Sequence, residues 1–206
     1  MRIITISRQF GSGGREIGKR LADLLGWDYY DREIIETLCE QEGLDADYVK
    51  RVIHNHEWNQ VPIHFKQSFS QLGDNSAWQL SFLKKESDII RRIAESGQDC
   101  IIVGREADIL LEDYHPFRIY VCADIESRLK RCMEREAGDL SEKEILKRIR
   151  KIDKNRKQTR DVLTAANDEP ALSFELTVNV TDWDIKKLVP TVAKMAEEWF
   201  EGRDNK

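Results

Sequence analysis

Gly11, Ser12, Gly13 and Gly14 lie between a β-branched run, Ile3 to Ser7, and an amphipathic segment that begins at Arg15. Residues with no Cβ, or a small polar one, let the backbone turn tightly and bring several N–H groups against one ligand. Where such a turn opens a helix, the unpaired N–H groups of the first turn and the helix dipole favour an anion, and phosphate is the obvious guest. A second set of chemical groups is spread along the chain. Arg105 follows an apolar run, and Asp153, Arg156 and Arg160 are spaced three and four apart, so that they project from one side of a helix. Guanidinium groups grip phosphate through two parallel hydrogen bonds. The bland alternatives are a turn without a ligand, a salt bridge from Arg105 to a neighbouring helix, and an ion-paired exposed helix around Arg156.

Two known loop patterns can be laid over these glycines. The dinucleotide fingerprint G-x-G-x-x-G takes Gly11 and Gly13, with Asp31 at the distance of a ribose contact, but its third glycine falls on Glu16. The pattern G-x-x-x-x-G-K-[ST] keeps Gly13, yet puts Arg8 at the first glycine, Gly14 at the lysine and Arg15 at the hydroxyl. Neither is satisfied.

Composition narrows the class. A chain of 206 residues with 40% hydrophobic content can bury one sizeable core, so a single domain over 1–206 is expected. The formal charge of -5 supplies no global field for a polyanion, which argues against nucleic acid as partner and leaves phosphate affinity to local arginines. Cys39, Cys100, Cys122 and Cys132 form no C-x-x-C pair and read as reduced thiols of a cytoplasmic chain. No apolar segment has the length of a membrane span, and the N-terminus lacks the build of a signal peptide.

The elements that must position these groups are legible in part. Ile3 to Ser7 predict a strand, and Ile17, Leu21, Leu24 and Leu25 predict a helix stripe closed by Gly26. Trp27 to Tyr30 form the next strand, and Asp31 caps a helix through Ile34, Ile35 and Leu38 that stops at Gly43. A short helix from Asp45 to His56 should follow. From Glu57 to Asn75 no period is clear, and the stretch reads as an insert over the nucleotide site. His54 and His56 before it and His64 within it match no metal-ligand spacing. A long helix opens at Asn75 or Ser76 and ends at Gly97. Cys100 to Val103 and Phe117 to Cys122 are apolar strands, with Gly104 and Arg105 at the end of the first. Asp124 caps a helix bearing Ile125, Leu129 and Met133, and Ser141 with Glu144 makes a capping box for a long helix through Ile145, Ile149 and Ile152. Leu176, Val178 and Val180 alternate as a fifth strand, before a last helix from Asp184 to Phe200 that contains Pro190. Strands alternating with helices predict an α/β fold with a five-stranded parallel sheet covered on both faces.

Four segments resemble the cytidylate kinase-like family, in the nucleoside monophosphate kinase branch of P-loop proteins. They are Ile4 to Gly18, Tyr29 to Glu36, Val103 to Asp108 and Ile152 to Arg160. The resemblance covers nearly the whole chain. It implies a P-loop kinase fold with a helical acceptor-binding insert over about 31–97 and a lid over about 138–168. It further implies ATP and Mg2+ as cofactors and a small phosphorylated or nucleotide acceptor. Gly11, Ser12, Gly13, Gly14, Arg15 and Glu16 would hold the donor phosphates, Asp31, Arg32, Arg105 and Asp153 the acceptor, and Arg15, Arg156 and Arg160 would neutralise developing charge.

Departures from the family pattern are chemical. The loop offers neither the usual lysine nor the metal-binding hydroxyl, so Arg15 or Arg8 must supply the positive charge, with Ser12 and Glu106 as the nearest metal ligands. Gln158 and Thr159 stand where paired tyrosines are expected after the lid arginine. Two functions follow: a phosphotransferase, or a nucleotide-binding module that has lost transfer. Nicotinamide binding through Asp31 is a third.

Overall fold

The computed structural model describes residues 1–40, 76–136, 140–164, 169 and 172–204. The predicted helix at 45–56, the insert at 57–75, the histidines at 54, 56 and 64, and Gly43 and Gly138 lie outside the described residues.

Five strands form one parallel sheet in the order β2-β3-β1-β4-β5. They are β1 (Ile3–Arg8), β2 (Asp28–Tyr30), β3 (Cys100–Val103), β4 (Phe117–Cys122) and β5 (Leu176–Asn179). The connecting helices are α1 (Gly14–Leu25), α2 (Arg32–Glu40), α3 (Ser76–Glu95), α4 (Ala107–Leu110), α5 (Ile125–Glu136), α6 (Glu142–Leu163) and α7 (Ile185–Asp204). A short 3-10 turn, Glu112–Tyr114, leads into β4.

The apolar runs in β1 and β3 are continuous because both faces of these strands are covered. Ile4, Ile6, Ile101 and Val103 pack with Ile17 and Leu21 of α1 and with Val189 and Val192 of α7. Ile3, Cys100 and Ile102 face the other way, against Ile35 and Leu38 of α2 and Ile89, Ile90 and Ile93 of α3. A smaller cluster of Cys132, Ile145 and Ile149 joins α5 to α6, with Phe10 packed on it.

Local signals fix several boundaries as expected. Gly26 caps α1 at φ 68°, Asp124 accepts from the Ser127 N–H at 2.7 Å, and the Ser141–Glu144 capping box is present in both directions. The α1 stripe differs in one member. Leu24 is 54% exposed, whereas Gly18 and Ala22 are buried, because a Cβ at Gly18 would lie 2.6 Å from Val103 and the helix sits tight on β3 there. Met133 is likewise 42% exposed and does not share the buried stripe of α5. Among the described residues no helix is long and apolar enough to cross a membrane.

The strand order places the topological switch beside β1. From β1 the chain passes over β3 to reach β2, and from β3 it crosses back over β1 to β4. Open α/β sheets bind ligands in the crevice outside the carboxyl ends of the strands at such a switch. The glycine turn is at that edge.

Candidate phosphate site

Gly11 and Gly13 have φ of +80° and +90°, the left-handed region that glycine tolerates. Space is as restrictive as angle. A Cβ at Gly11 would stand 2.9 Å from both the Arg128 carbonyl and the Cys132 sulfur, and one at Gly13 would stand 2.4 Å from Ile185 Cδ1. The turn is therefore pressed between α5 and the start of α7. Gly13 is the N-cap of α1 with no side-chain cap, so the first-turn N–H groups keep their capacity for an anion. Ser12 is fully buried and its hydroxyl donates to the Gln9 carbonyl at 2.9 Å, closing the turn on its own backbone. Gln9 in turn accepts from the Ala123 N–H through Oε1 at 3.1 Å, tying the loop to the end of β4.

Arg8 is the last residue of β1, and its side chain crosses the mouth of the loop. Gly14 and Gly104 make room for it: a Cβ on Gly14 would lie 2.8 Å from Arg8 Cβ, and one on Gly104 would lie 1.7 Å from Nη1. Arg8 makes no ion pair or side-chain hydrogen bond with any described residue. Burial, then the like charge of Arg156, with Arg105 adding to it, lowers its pKa to about 9, against a smaller opposing pull from Glu106. Arg156 is depressed by burial as well, with Asp153 and Glu106 opposing. The rim of the turn thus gathers positive charge in a partly buried setting, with Glu106 beside it.

Arg15 is turned the other way. Its guanidinium donates to both Glu33 oxygens at 2.9 Å and pairs with Asp31 through Nε at 2.7 Å. Burial works against its charge, but these two carboxylates outweigh it and hold the pKa above the ordinary value. Asp31 is the buried N-cap of α2, accepting from the Glu33 and Ile34 N–H groups and from the Tyr29 hydroxyl at 3.2 Å. Arg32 and Glu16, also expected at the site, are partly buried on α2 and exposed on α1 respectively.

At the end of β3 the chain takes three successive positive φ values, 83° at Gly104, 60° at Arg105 and 49° at Glu106. Non-glycine residues in that region carry strain, and such strain gathers at functional sites. Arg105 pairs with buried Glu86 of α3 at 3.0 Å. The Glu106 carboxyl is pushed above its usual range by burial, with Arg105 and Arg8 pulling back, and it ion-pairs with no described residue. Asp108, buried on α4, accepts from the Ser7 hydroxyl at 3.0 Å and pairs with Arg160, whose guanidinium also lies 4.8 Å over the Phe174 ring.

Helix α6 closes the site from above. Asp153 accepts the Phe10 N–H at 2.7 Å and pairs with Arg128, while Arg128 Nε donates to the Phe10 carbonyl at 2.8 Å. Both main-chain groups of Phe10 are gripped. Arg156 donates to the Arg8 carbonyl at 2.8 Å, and the guanidinium groups of Arg135, Arg148 and Arg156 lie 5.5, 5.7 and 5.9 Å from the Phe10 ring centre.

The structure therefore brings Gly11 to Gly14, Arg156 and Asp153 to one place, with Arg105 and Glu106 at its border. It sets Arg15 and Asp31 on the α2 side and Arg160 on Asp108. Sequence reasoning missed Glu86, Asp108, Phe10 and Arg128. Arg128 sits on an otherwise amphipathic helix and is 6% exposed. The one available signal was that a charged side chain must be paired wherever the fold buries it.

The residues fit a polyphosphate: two glycines that no Cβ could replace, a helix N-terminus, and a cation with no carboxylate partner among the described residues. For a divalent ion the fit is thinner. Ser12 points into its own turn, and no group of three His, Cys, Asp or Glu gathers among the described residues. Glu106, three residues after β3, ion-pairs with no described residue and is the carboxylate left to serve, and magnesium in phosphate sites typically needs only one or two carboxylates beside phosphate and water.

Comparison with known proteins bears on the fold. An uncharacterized protein from Eubacterium ventriosum superposes with a TM-score of 0.70 at 21% identity, covering 96% of this chain and 99% of that one. Shikimate kinase from Acinetobacter baumannii gives 0.52 at 13% identity, covering 96% and 94%. Shikimate kinase from Aquifex aeolicus gives 0.50 at 17%, covering 98% and 99%. The fold is that of the P-loop kinases. No curated protein matches the sequence. The model of the cytidylate kinase-like family matches residues 3–182, and the chain belongs to that family.

Proposed function

We propose that the protein is an ATP-dependent phosphotransferase whose acceptor is a nucleoside monophosphate of the cytidylate type. The observation that carries this reading is the hydrogen bond from Arg156 to the Arg8 carbonyl, which brings the lid helix onto the glycine turn and sets guanidinium groups from β1, the β3 end and α6 around one loop. Family membership supports a nucleotide-dependent kinase.

In this reading the N–H groups at the start of α1 hold the β-phosphate, and Arg8 and Arg156 face the transferred group. An acceptor phosphate oxygen attacks the γ-phosphorus, the bond to the β–γ bridging oxygen breaks, and ADP leaves with that electron pair. Magnesium, when bound, neutralises charge on the β- and γ-oxygens. Asp153 and Arg128 fix the loop through Phe10, so its amides are aimed before the nucleotide arrives, and catalysis by positioning depends on such prior order. Arg15 braces Asp31 and Glu33 and thereby orders the acceptor side.

One observation favours a second reading, a nucleotide-binding module without turnover. Gly14 takes the place of the P-loop lysine, and Arg15, the nearest cation in sequence, is already bound by two carboxylates. An ADP-release assay with magnesium, ATP and a panel of nucleoside monophosphates separates the two. Turnover with one pyrimidine monophosphate supports the kinase; tight ATP binding with no acceptor-dependent ADP supports the module.

A further inference from the structure

We infer that Arg8, the residue in the first-glycine position of the loop, is the phosphate-binding cation of this enzyme and takes over the task of the missing lysine from the opposite end of the turn. The inference rests on the nucleotide site proposed above and assigns it a residue that the pattern G-x-x-x-x-G-K-[ST] does not contain. Its grounds are steric and electrostatic. Two glycines on different elements, Gly14 on α1 and Gly104 after β3, leave the space that the Arg8 side chain occupies. Its neighbours by charge are Arg156 and Arg105, which repel it, and Glu106, which offsets part of that repulsion without bonding to it. Arg105 has Glu86 and Arg156 has Asp153 within ion-pair distance, whereas Arg8 has no such carboxylate among the described residues. A partly buried guanidinium beside like charges, with no carboxylate among the described residues bonded to it, favours an anion that completes it. The first-turn amides of α1 lie on the same loop, so a single phosphate can satisfy both. An arginine at this end is planar and reaches two oxygens of one phosphoryl group, where a lysine would act as a point charge.

The test compares wild type, Arg8→Met and Arg8→Lys by calorimetric titration with ATP and with inorganic pyrophosphate, alongside thermal melts of the ligand-free proteins. Loss of a charge-assisted contact weakens binding about ten- to a hundredfold. The inference predicts that loss for Arg8→Met with both ligands, an intermediate value for Arg8→Lys, and a ligand-free melting temperature for Arg8→Met equal to or above wild type. A purely structural arginine would lower the melting temperature and leave affinity within twofold, and that pair of results overturns the inference. If wild type binds ATP and Arg8→Met binds it equally, Arg8 is excluded while the kinase reading stands. Should pyrophosphate binding depend on Arg8 in a protein that transfers nothing, the cation assignment stands and the kinase reading falls. A wild type that binds neither ligand contradicts both.

Discussion

Asp153, on α6, accepts the main-chain N–H of Phe10 in the glycine turn at 2.7 Å, across 143 residues of sequence. The carboxylate expected to meet the acceptor is thus engaged with the glycine turn, and its second oxygen holds Arg128. Asp153→Asn keeps an acceptor for Phe10 but leaves buried Arg128 without its counter-charge. It should cost about 1–3 kcal/mol in urea unfolding and raise the KM for ATP more than that for the acceptor. An effect confined to the acceptor KM would return Asp153 to its expected role.

The depressed pKa of Arg8 sets a pH limit. The groups acting on it are Arg156 from α6, Arg105 and Glu106 from the end of β3, and Tyr29 from β2. A base whose folded pKa lies at about 9 is charged below that value and loses its proton above it, so anion affinity is full at neutral pH and falls on the alkaline side. The Kd for ATP should rise about tenfold per pH unit beyond the limit, and Arg8→Met should abolish that dependence. Titrations between neutral and alkaline pH read it directly.

Gly104 can be separated from an ordinary turn glycine. Gly97 and Gly104 have similar φ, 79° and 83°, but a Cβ on Gly97 meets nothing within 4 Å whereas one on Gly104 lands on Arg8. Both alanine variants pay the left-handed strain of about 1 kcal/mol. Only Gly104→Ala should weaken ATP binding, by about tenfold or more. Equal binding by the two variants would mean that Arg8 need not occupy that space.

Arg15 should behave differently from Arg8. Its bonds to Asp31 and Glu33 join α1 to α2, and its side chain is 34% exposed. Arg15→Met should therefore cost about 1 kcal/mol of stability and raise the acceptor KM, with ATP affinity changed less than threefold, roughly 0.6 kcal/mol. A loss of ATP affinity as large as that of Arg8→Met would place Arg15 at the phosphates after all.

The sheet was legible because most strands are short β-branched or apolar runs, two of them followed at once by a punctuating residue, Asp31 after β2 and Gly104 after β3. Cys100–Val103 and Phe117–Cys122 were readable to the residue. The strand order was not, since nothing local in Ile3 to Arg8 specifies β3 and β4 as its neighbours. The glycine loop and the arginines of the lid were visible as types at a spacing. What was hidden is which of Arg8 and Arg15 is the replacement cation, because the space that Arg8 occupies depends on Gly104, nearly a hundred residues away, having no side chain. Arg128 and Phe10 were hidden for the same reason. Their pairing with Asp153 comes from α5 and α6 packing together around Cys132 and Ile149.

The central claim is that guanidinium groups gathered on the glycine turn carry out phosphoryl transfer without a P-loop lysine. Single-turnover transfer of the γ-phosphoryl group from saturating ATP to CMP, followed by rapid quench in wild type and Arg8→Met, tests it most directly. The account predicts CDP formation by wild type and a rate about a hundredfold lower in the variant, as for loss of one transition-state donor. Equal rates in the two proteins, or no CDP from a wild type saturated with ATP and CMP, would contradict it.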